Sequence, residues 1–306
     1  MGKTEAAMFS PEAYQLLDFG EGRRLEAFGP WVLDRPCPAA EAMPRRDLAA
    51  WGRADARFER SSTAGGTWSS TAQLPDRWTI AHPPFTLELK RTEFGHLGVF
   101  PEQAANWDWI AAAVRAALRP LSVLNLFAYT GGSTLAAAAA GAEVTHVDAA
   151  ANVVAWARRN AELSGMVDAA VRWIAEDAMK FVRRELMRGT RYDAVILDPP
   201  SYGHGRRGEV WRLSRHLRRL LETCAELTAG RRRFILLTCH TPKLTPDRLR
   251  RLLAETMGDR GAQVTADTMA LVAGGGQSLP SGVVARWQAD TTGDETHLLT
   301  AGRPEP

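Results

Sequence analysis

Cysteine is scarce. Cys37, Cys224 and Cys239 are the only three in 306 residues, an odd number with no paired spacing. That excludes a disulfide framework and a cysteine-rich metal site, and it predicts three reduced thiols. No run of 18 apolar residues exists, so no segment reads as a transmembrane helix. The opening stretch, MGKTEAAMFSPEAYQ, lacks the apolar core of a secretory leader, and the expected location is cytoplasmic, with no membrane partner. The histidines His82, His96, His146, His204, His216, His240 and His297 show no ligand spacing, so no metal is expected. Lysine is nearly missing: four Lys stand against 34 Arg, a bias uniform enough that only arginine clusters carry information.

What is present is ordinary for a globular chain, at 45% hydrophobic and 24% charged, enough for one sizeable core and a smaller second one. A net charge of +3 permits an anionic partner without demanding one. The densest cluster, Arg206, Arg207, Arg212, Arg215, Arg218 and Arg219, fits a solvated helix face as well as contact with nucleic acid.

Organisation changes once along the chain. Residues 1–95 carry short alternating runs broken by Pro and Gly (AFGPWVLD, RFER, FTLELKR), the pattern of small β elements. TAGGTWSST reads as a hairpin tip and DRPCPAAEAMPRR as an extended crossing. Residues 96–306 alternate helix and strand, beginning with the helix PEQAANWDWIAAAVRAALR. The strands are SVLNLFA, EVTHVD, VRWIAED, DAVILD and RRFILLTC, and the helices between them include VWRLSRHLRRLLETCAELT. Apolar runs of this length between helices are strands covered on both faces, which predicts an α/β fold with a doubly wound parallel sheet. The last two strands, AQVTADTMALVAG and SGVVARWQA, are separated too briefly for a helix and should form an antiparallel hairpin. The expected plan is a β-rich N-terminal substrate-binding domain over 1–95 and a catalytic domain over 96–306.

In such sheets a ligand sits beyond the carboxyl ends of the strands where strand order reverses. Those ends are NLFAYTGGS, HVDAA, AEDAM, DPPSYGHG and TCHTP. Gly131 and Gly132 open a helix and allow close approach to the backbone, yet the G-x-G-x-x-G spacing that seats a pyrophosphate is missing. A cofactor without pyrophosphate is therefore favoured over a nicotinamide dinucleotide. Asp148 ends the second strand, where a carboxylate accepts ribose hydroxyls, and Asp177 ends the third, placed for an adenine amine. Either acid equally serves as an N-cap.

The segments NLFAYTGGSTLAAAAAGAEVTHVDAAANVVAWARRNAELSG, AEDAMKFVRR, YDAVILDPPSYG and LLTCH together resemble the class I S-adenosylmethionine-dependent methyltransferases, most closely the bacterial large-subunit ribosomal RNA methyltransferases of the cytosine-C5 type. The resemblance spans about residues 85 to 290 and implies a Rossmann-like sheet, S-adenosylmethionine as cofactor and ribosomal RNA as partner. It implies that Phe100 and Gln103 close over the cofactor, that Asn125, Phe127, Tyr129, Thr130 and Gly131 line its methionine side, and that Asp198 and Pro199 border the reacting methyl. Members of this branch commonly begin with an RNA-binding domain of the PUA kind, which residues 1–80 do not obviously match.

In-line methyl transfer asks the protein to hold donor and acceptor in attack geometry. Asp198-Pro199-Pro200 makes a stiff wall with carbonyls free to accept from a base amine, and Tyr202 is placed to stack on an extruded base. Cytosine C5 methylation requires a thiolate to add at C6 first, and Cys239 in LLTCH matches the family's nucleophile position. A lone cysteine ending a strand is otherwise a small buried hydrophobe, as Cys224 is expected to be. His204 and Arg206 are candidates for phosphate contact, His96 for shaping the entrance, and at least one of Trp107 and Trp109 for the core. The expected function is methylation of ribosomal RNA at cytosine C5 through Cys239. The alternatives are a purine nitrogen, exocyclic amine or protein acceptor without a covalent step, an oxidoreductase, or a non-catalytic cofactor-binding protein.

Overall fold

The computed structural model describes residues 9–62, 65–204, 210–241 and 244–290. The chain begins with strands β1 (Tyr14–Gly20), β2 (Arg23–Phe28) and β3 (Trp31–Pro36), the short helix α1 (Leu48–Trp51), and strands β4 (Ala56–Ser62) and β5 (Gly65–Ser70). These form one five-stranded sheet in sequence order, antiparallel except where β3 meets β4. The segment read as an extended crossing instead folds back. Pro38 starts a 3-10 turn over Pro38–Ala40, and the Cys37 and Gly22 amides bond across it to Gly22 and Ala40 carbonyls. Proline at the first position of that turn has its φ already set, so the turn loses little entropy in forming.

A hairpin of β6 (Trp78–His82) and β7 (Phe85–Leu89) follows, and then α2 (Ala104–Arg115), β8 (Ser122–Leu126), α3 (Gly132–Ala139), β9 (Glu143–Asp148), α4 (Ala151–Leu163), β10 (Val171–Ala175) and α5 (Ala178–Met187). The chain continues through β11 (Ala194–Leu197), β12 (Tyr202–His204), β13 (Val210–Arg212), α6 (Leu213–Leu227), β14 (Phe234–Cys239), α7 (Pro246–Met257), β15 (Ala262–Val272) and β16 (Ser278–Ala289). Seven of these strands make one sheet in the order β10-β9-β8-β11-β14-β16-β15, parallel through β14 and closed by the antiparallel β15–β16 hairpin. Every residue of β11 and β14 is buried, which is why these strands read as unbroken apolar runs. On β14, Ile235 and Leu237 pack with α6 and α7 residues, whereas Phe234 and Leu236 face the opposite layer with Ile110 and Val114 of α2.

The helix expected from Val210 starts only at Leu213. Val210–Arg212 pairs antiparallel with Tyr202–His204 as a small flap instead. From Leu213 the spacing of Leu217, Leu220, Leu221, Cys224 and Leu227 gives a continuous buried stripe, and residues 210–212 carry no such period. Trp107 is buried in the core and Trp109 only partly so. The β6–β7 hairpin lies on α4, tied by the Glu88 amide to Asn160 Oδ1 at 2.8 Å and by Trp156 Nε1 to the Glu88 carbonyl at 3.1 Å. No helix among the described residues is long and apolar enough to cross a membrane.

Candidate active site

The strand order reverses between β8 and β11, and the carboxyl ends of β8, β9, β10, β11 and β14 converge there on a cavity of about 540 Å³. Its walls include Phe100, Phe127, Tyr129, Asp148, Asp177, Asp198, Pro199 and Trp211. A narrow slot beneath it shares Phe100, Phe127, Tyr129 and Asp198 and adds Gln103, Asn125, Thr130 and Gly131. Eleven sequence candidates thus line one continuous space, if Pro199 is counted with the ten residues read as cofactor-binding. Tyr202 stands outside the lining, half exposed on the flap, with the Arg212 guanidinium 5.9 Å from its ring centre.

The loop after β8 is unusual backbone. Phe127 and Tyr129 hold φ values of 56° and 49°, and Gly131 follows at 92°. Two bulky residues in the left-handed region cost of order 1–3 kcal/mol each and persist only where surrounding contacts impose them. Here Asp148 imposes one of them: its Oδ2 accepts the Tyr129 amide at 3.0 Å, and its Oδ1 accepts the Ala150 amide at 3.0 Å. Burial raises the Asp148 carboxyl above its ordinary value although these amides oppose the shift. Each carboxylate oxygen keeps a further lone pair for a ligand hydroxyl. Asn125 is turned inward, donating from Nδ2 to Thr134 Oγ1, which contacts His146 Nδ1, both at 2.9 Å. Asp177 caps α5 through the Lys180 amide at 2.9 Å while lying on the cavity wall, so the cap does not withdraw it from the cavity.

At the other end Asp198 is bound on both oxygens. Thr238 Oγ1 donates to Oδ1 at 2.6 Å, Gln103 Nε2 to Oδ2 at 3.1 Å, and His240 Nε2 lies 3.3 Å from Oδ1. His240 Nδ1 also donates to the Ser281 carbonyl at 2.8 Å. A ring that donates from both nitrogens is an imidazolium. Burial opposes that charge, but the Asp198 contact prevails and lifts the His240 pKa to about 9. Asp198 is correspondingly held below the ordinary carboxylate value, its burial outweighed by bonds from His240, Thr238 and Gln103. Thr238, His240 and Trp211 were not singled out as site residues in the sequence. Strand alternation alone could have found Thr238, which must face the layer opposite Cys239.

Cys239, like Tyr202, stands outside the lining. It is 1% exposed and packs with Leu237, Leu197 and Val283. Burial and the Asp198 carboxylate both raise its thiol pKa far above the ordinary value. Cys224 and Cys37 are buried as well. His96 stacks edge-on against Phe100 at the cavity mouth, 5.4 Å between ring centres. The His204 side chain and Arg206 lie outside the described residues. No cluster of metal-ligating side chains occurs among the described residues.

Acids on successive strand ends around a cavity of this size fit a nucleoside with a cationic substituent, with hydroxyl-accepting Asp148 at one end and Asp198 at the other. Comparison with known proteins agrees. Residues 48–262 match the model of the S-adenosylmethionine-dependent methyltransferase family. The crystal structure of a SAM-dependent methyltransferase from Agrobacterium tumefaciens is 38% identical, covers 90% of both chains and superposes with a TM-score of 0.85. Ribosomal RNA large subunit methyltransferase I of Aeromonas hydrophila is 38% identical over 85 residues, 28% of this chain and 21% of that protein. Ribosomal RNA large subunit methyltransferase K of Neisseria meningitidis serogroup B is 31% identical over 109 residues, 35% of this chain and 31% of that protein. The chain thus spans less than a third of these two curated relatives.

Proposed function

The chain belongs to the S-adenosylmethionine-dependent methyltransferase family, and we propose that the acceptor of its methyl group is a base of ribosomal RNA. The cofactor supplies an electrophilic methyl on a sulfonium. The observation that carries the acceptor reading is the Asp198-Pro199-Pro200 wall, which faces the cavity and continues into the flap bearing the exposed Tyr202. Asp148 would hold the ribose and Asp177 the adenine. Phe100 and Gln103 would cover the methionine side together with Asn125, Phe127, Tyr129, Thr130 and Gly131. Asp198, fixed by Thr238, Gln103 and His240, orients the acceptor; the Pro200 carbonyl, expected to be free, accepts Trp211 Nε1 at 2.6 Å, so the Pro199 carbonyl is the one that accepts from the amine. Tyr202 stacks on the extruded base. The curated relatives' names support ribosomal RNA, through segments that are a minority of those proteins.

The geometry favours a ring nitrogen or exocyclic amine as acceptor, because these carry their own lone pair and need no thiolate. Cytosine C5 through Cys239, the first choice on sequence, becomes the second reading. It is supported by the place of Cys239 at the end of β14, beside the strand leading to Asp198. Against it stand the burial of the thiol and its raised pKa, since the thiolate is the attacking species. The test is ribosomal RNA from cells lacking the protein, incubated with labelled S-adenosylmethionine and either wild type or Cys239→Ala. Label in a methylated purine or amine with both proteins is the expected result. Label in 5-methylcytosine with wild type only would establish the covalent route. Absence of label in RNA, with label in protein, would end the RNA reading.

A further inference from the structure

A second cavity, about 620 Å³, opens beside the first and shares Asp177 and Trp211 with it. It lies between α5 and the β13–α6 segment. Lys180, Arg183, Arg184 and Met187 follow one another at helical i, i+3, i+4, i+7 spacing, so α5 turns a single face toward it. From the other side come Val210, Trp211, His216 and Arg219. The rim is cationic and the floor apolar. Glu176 holds Arg184 at 2.6 Å and stands 3.8 Å from Lys180, whereas Arg183 and Arg219 have no acidic partner among the described residues. The apolar side is made by Met179, Met187, Val210 and Trp211; Met187 is 82% and Val210 42% exposed, whereas the Trp211 ring is buried against Phe127 and His216. Exposed apolar side chains ringed by unneutralised arginines are poorly placed against water alone.

We infer that this groove binds the RNA strand flanking the target nucleotide, its phosphates on Arg183 and Arg219 and a base against the exposed Met187 and Val210 side chains. A cationic groove that follows the backbone binds single-stranded RNA without reading its sequence. Such a site would anchor the strand while the adjoining nucleotide reaches the Asp198 wall. The inference rests on the RNA reading above and adds the path of the strand.

The test uses the full chain and a ribosomal RNA transcript, with binding followed across a salt series and cofactor affinity measured alongside. Arg183→Gln/Arg219→Gln should keep cofactor affinity and weaken RNA binding at low salt by about tenfold or more, since phosphate contacts dominate affinity there. The slope of log affinity on log salt should fall by about 2, close to one per cation removed. Arg183→Lys/Arg219→Lys should retain most of that slope. Met187→Glu, at an exposed position that places no demand on folding, should weaken RNA binding likewise. RNA affinity and slope unchanged in all these variants, with label still entering RNA, would remove the groove and leave the RNA reading standing. Wild type that transfers label only to protein would remove both.

Discussion

His240 and Asp198 form an ion pair across the ends of two neighbouring parallel strands, with Nε2 3.3 Å from Oδ1 and the far ring nitrogen anchored on the Ser281 carbonyl. This makes Asp198 a fixed anion, since its pKa is lowered and that of its partner is raised to about 9 from an ordinary 6.5. On the function proposed above, a carboxylate committed in this way would orient the acceptor without collecting its proton.

The pair dictates a pH profile. Because the His240 pKa is raised in the fold, its contribution to stability is complete below about pH 6.5 and is lost as pH climbs through about 9. Asp198 runs the other way: its lowered pKa adds stability above the ordinary carboxylate range, lost only in stronger acid. Methyl transfer should therefore fall on a basic limb near pH 9. His240→Ala should lower kcat by about 10- to 100-fold through misplacement of Asp198. The basic limb should disappear with it. A variant that keeps the limb would assign it to the substrate.

Gln103 stitches three elements together, donating to Asp198 and Thr238 and accepting from Asn106 Nδ2 at 2.7 Å. Gln103→Ala leaves these buried partners short of a bond, a loss of about 1–3 kcal/mol in unfolding free energy. Urea denaturation measures it. Cofactor affinity should drop in the same variant, because the slot beneath the cavity loses one wall.

Cys239 should behave as a buried apolar group. Its raised thiol pKa leaves negligible thiolate at pH 8, so iodoacetamide should label it only after unfolding. Cys239→Ala should retain most of the methyl transfer activity. Cys239→Ser should be less stable than Cys239→Ala, by about 1–3 kcal/mol, because the hydroxyl enters an apolar cluster with no partner supplied. Complete loss of transfer in the alanine variant, with cofactor binding intact, would restore the covalent reading.

Asp148→Asn tests the ribose contact. The amide offers one acceptor oxygen where the carboxylate offers two, so the Tyr129 and Ala150 amides can no longer both be satisfied by it. Losing a charged hydrogen bond is worth about 1.5–3 kcal/mol, or roughly 10- to 100-fold in cofactor affinity. The raised pKa of Asp148 means that cofactor binding in wild type should begin to weaken at a higher pH than an ordinary aspartate would dictate. Calorimetry on both proteins between pH 4 and pH 7 decides it.

The parts of the molecule that the sequence disclosed are those governed by local rules. Continuous apolar runs gave β8, β11 and β14, and acids at strand ends gave Asp148, Asp177 and Asp198, all of which face one cavity. Where long-range pairing decides, the sequence was silent. Val210–Arg212 joined a helix in the sequence reading because nothing local says that it pairs with Tyr202–His204. Cys239 and His240 are adjacent in sequence, yet only the imidazole reaches the cavity, because successive residues at a strand end point to opposite sides. The His240 partner, Ser281, lies 41 residues away on an antiparallel strand, beyond the range of any motif.

The N-terminal sheet is joined to the site by a buried charge network, and Glu26 is its centre. Glu26 is fully buried, accepting Tyr14 Oη at 3.0 Å on one oxygen and Arg35 Nε at 2.9 Å on the other, with Arg24 Nε at 3.1 Å. Arg35 reaches onward to the Gly95 carbonyl at 3.1 Å, one residue from His96 at the cavity mouth. Glu26→Gln removes the carboxylate that pairs with both Arg24 and Arg35, whose side chains are largely buried. Breaking a buried pair from one side destabilises by about 3–5 kcal/mol, because the remaining charges are left uncompensated. If the network also positions the mouth, the loss should extend to function. In protein that is still folded at low temperature, Glu26→Gln should raise the KM for RNA and for cofactor while the unfolding midpoint falls. A lowered midpoint with both KM values unchanged would confine the network to holding the sheet together.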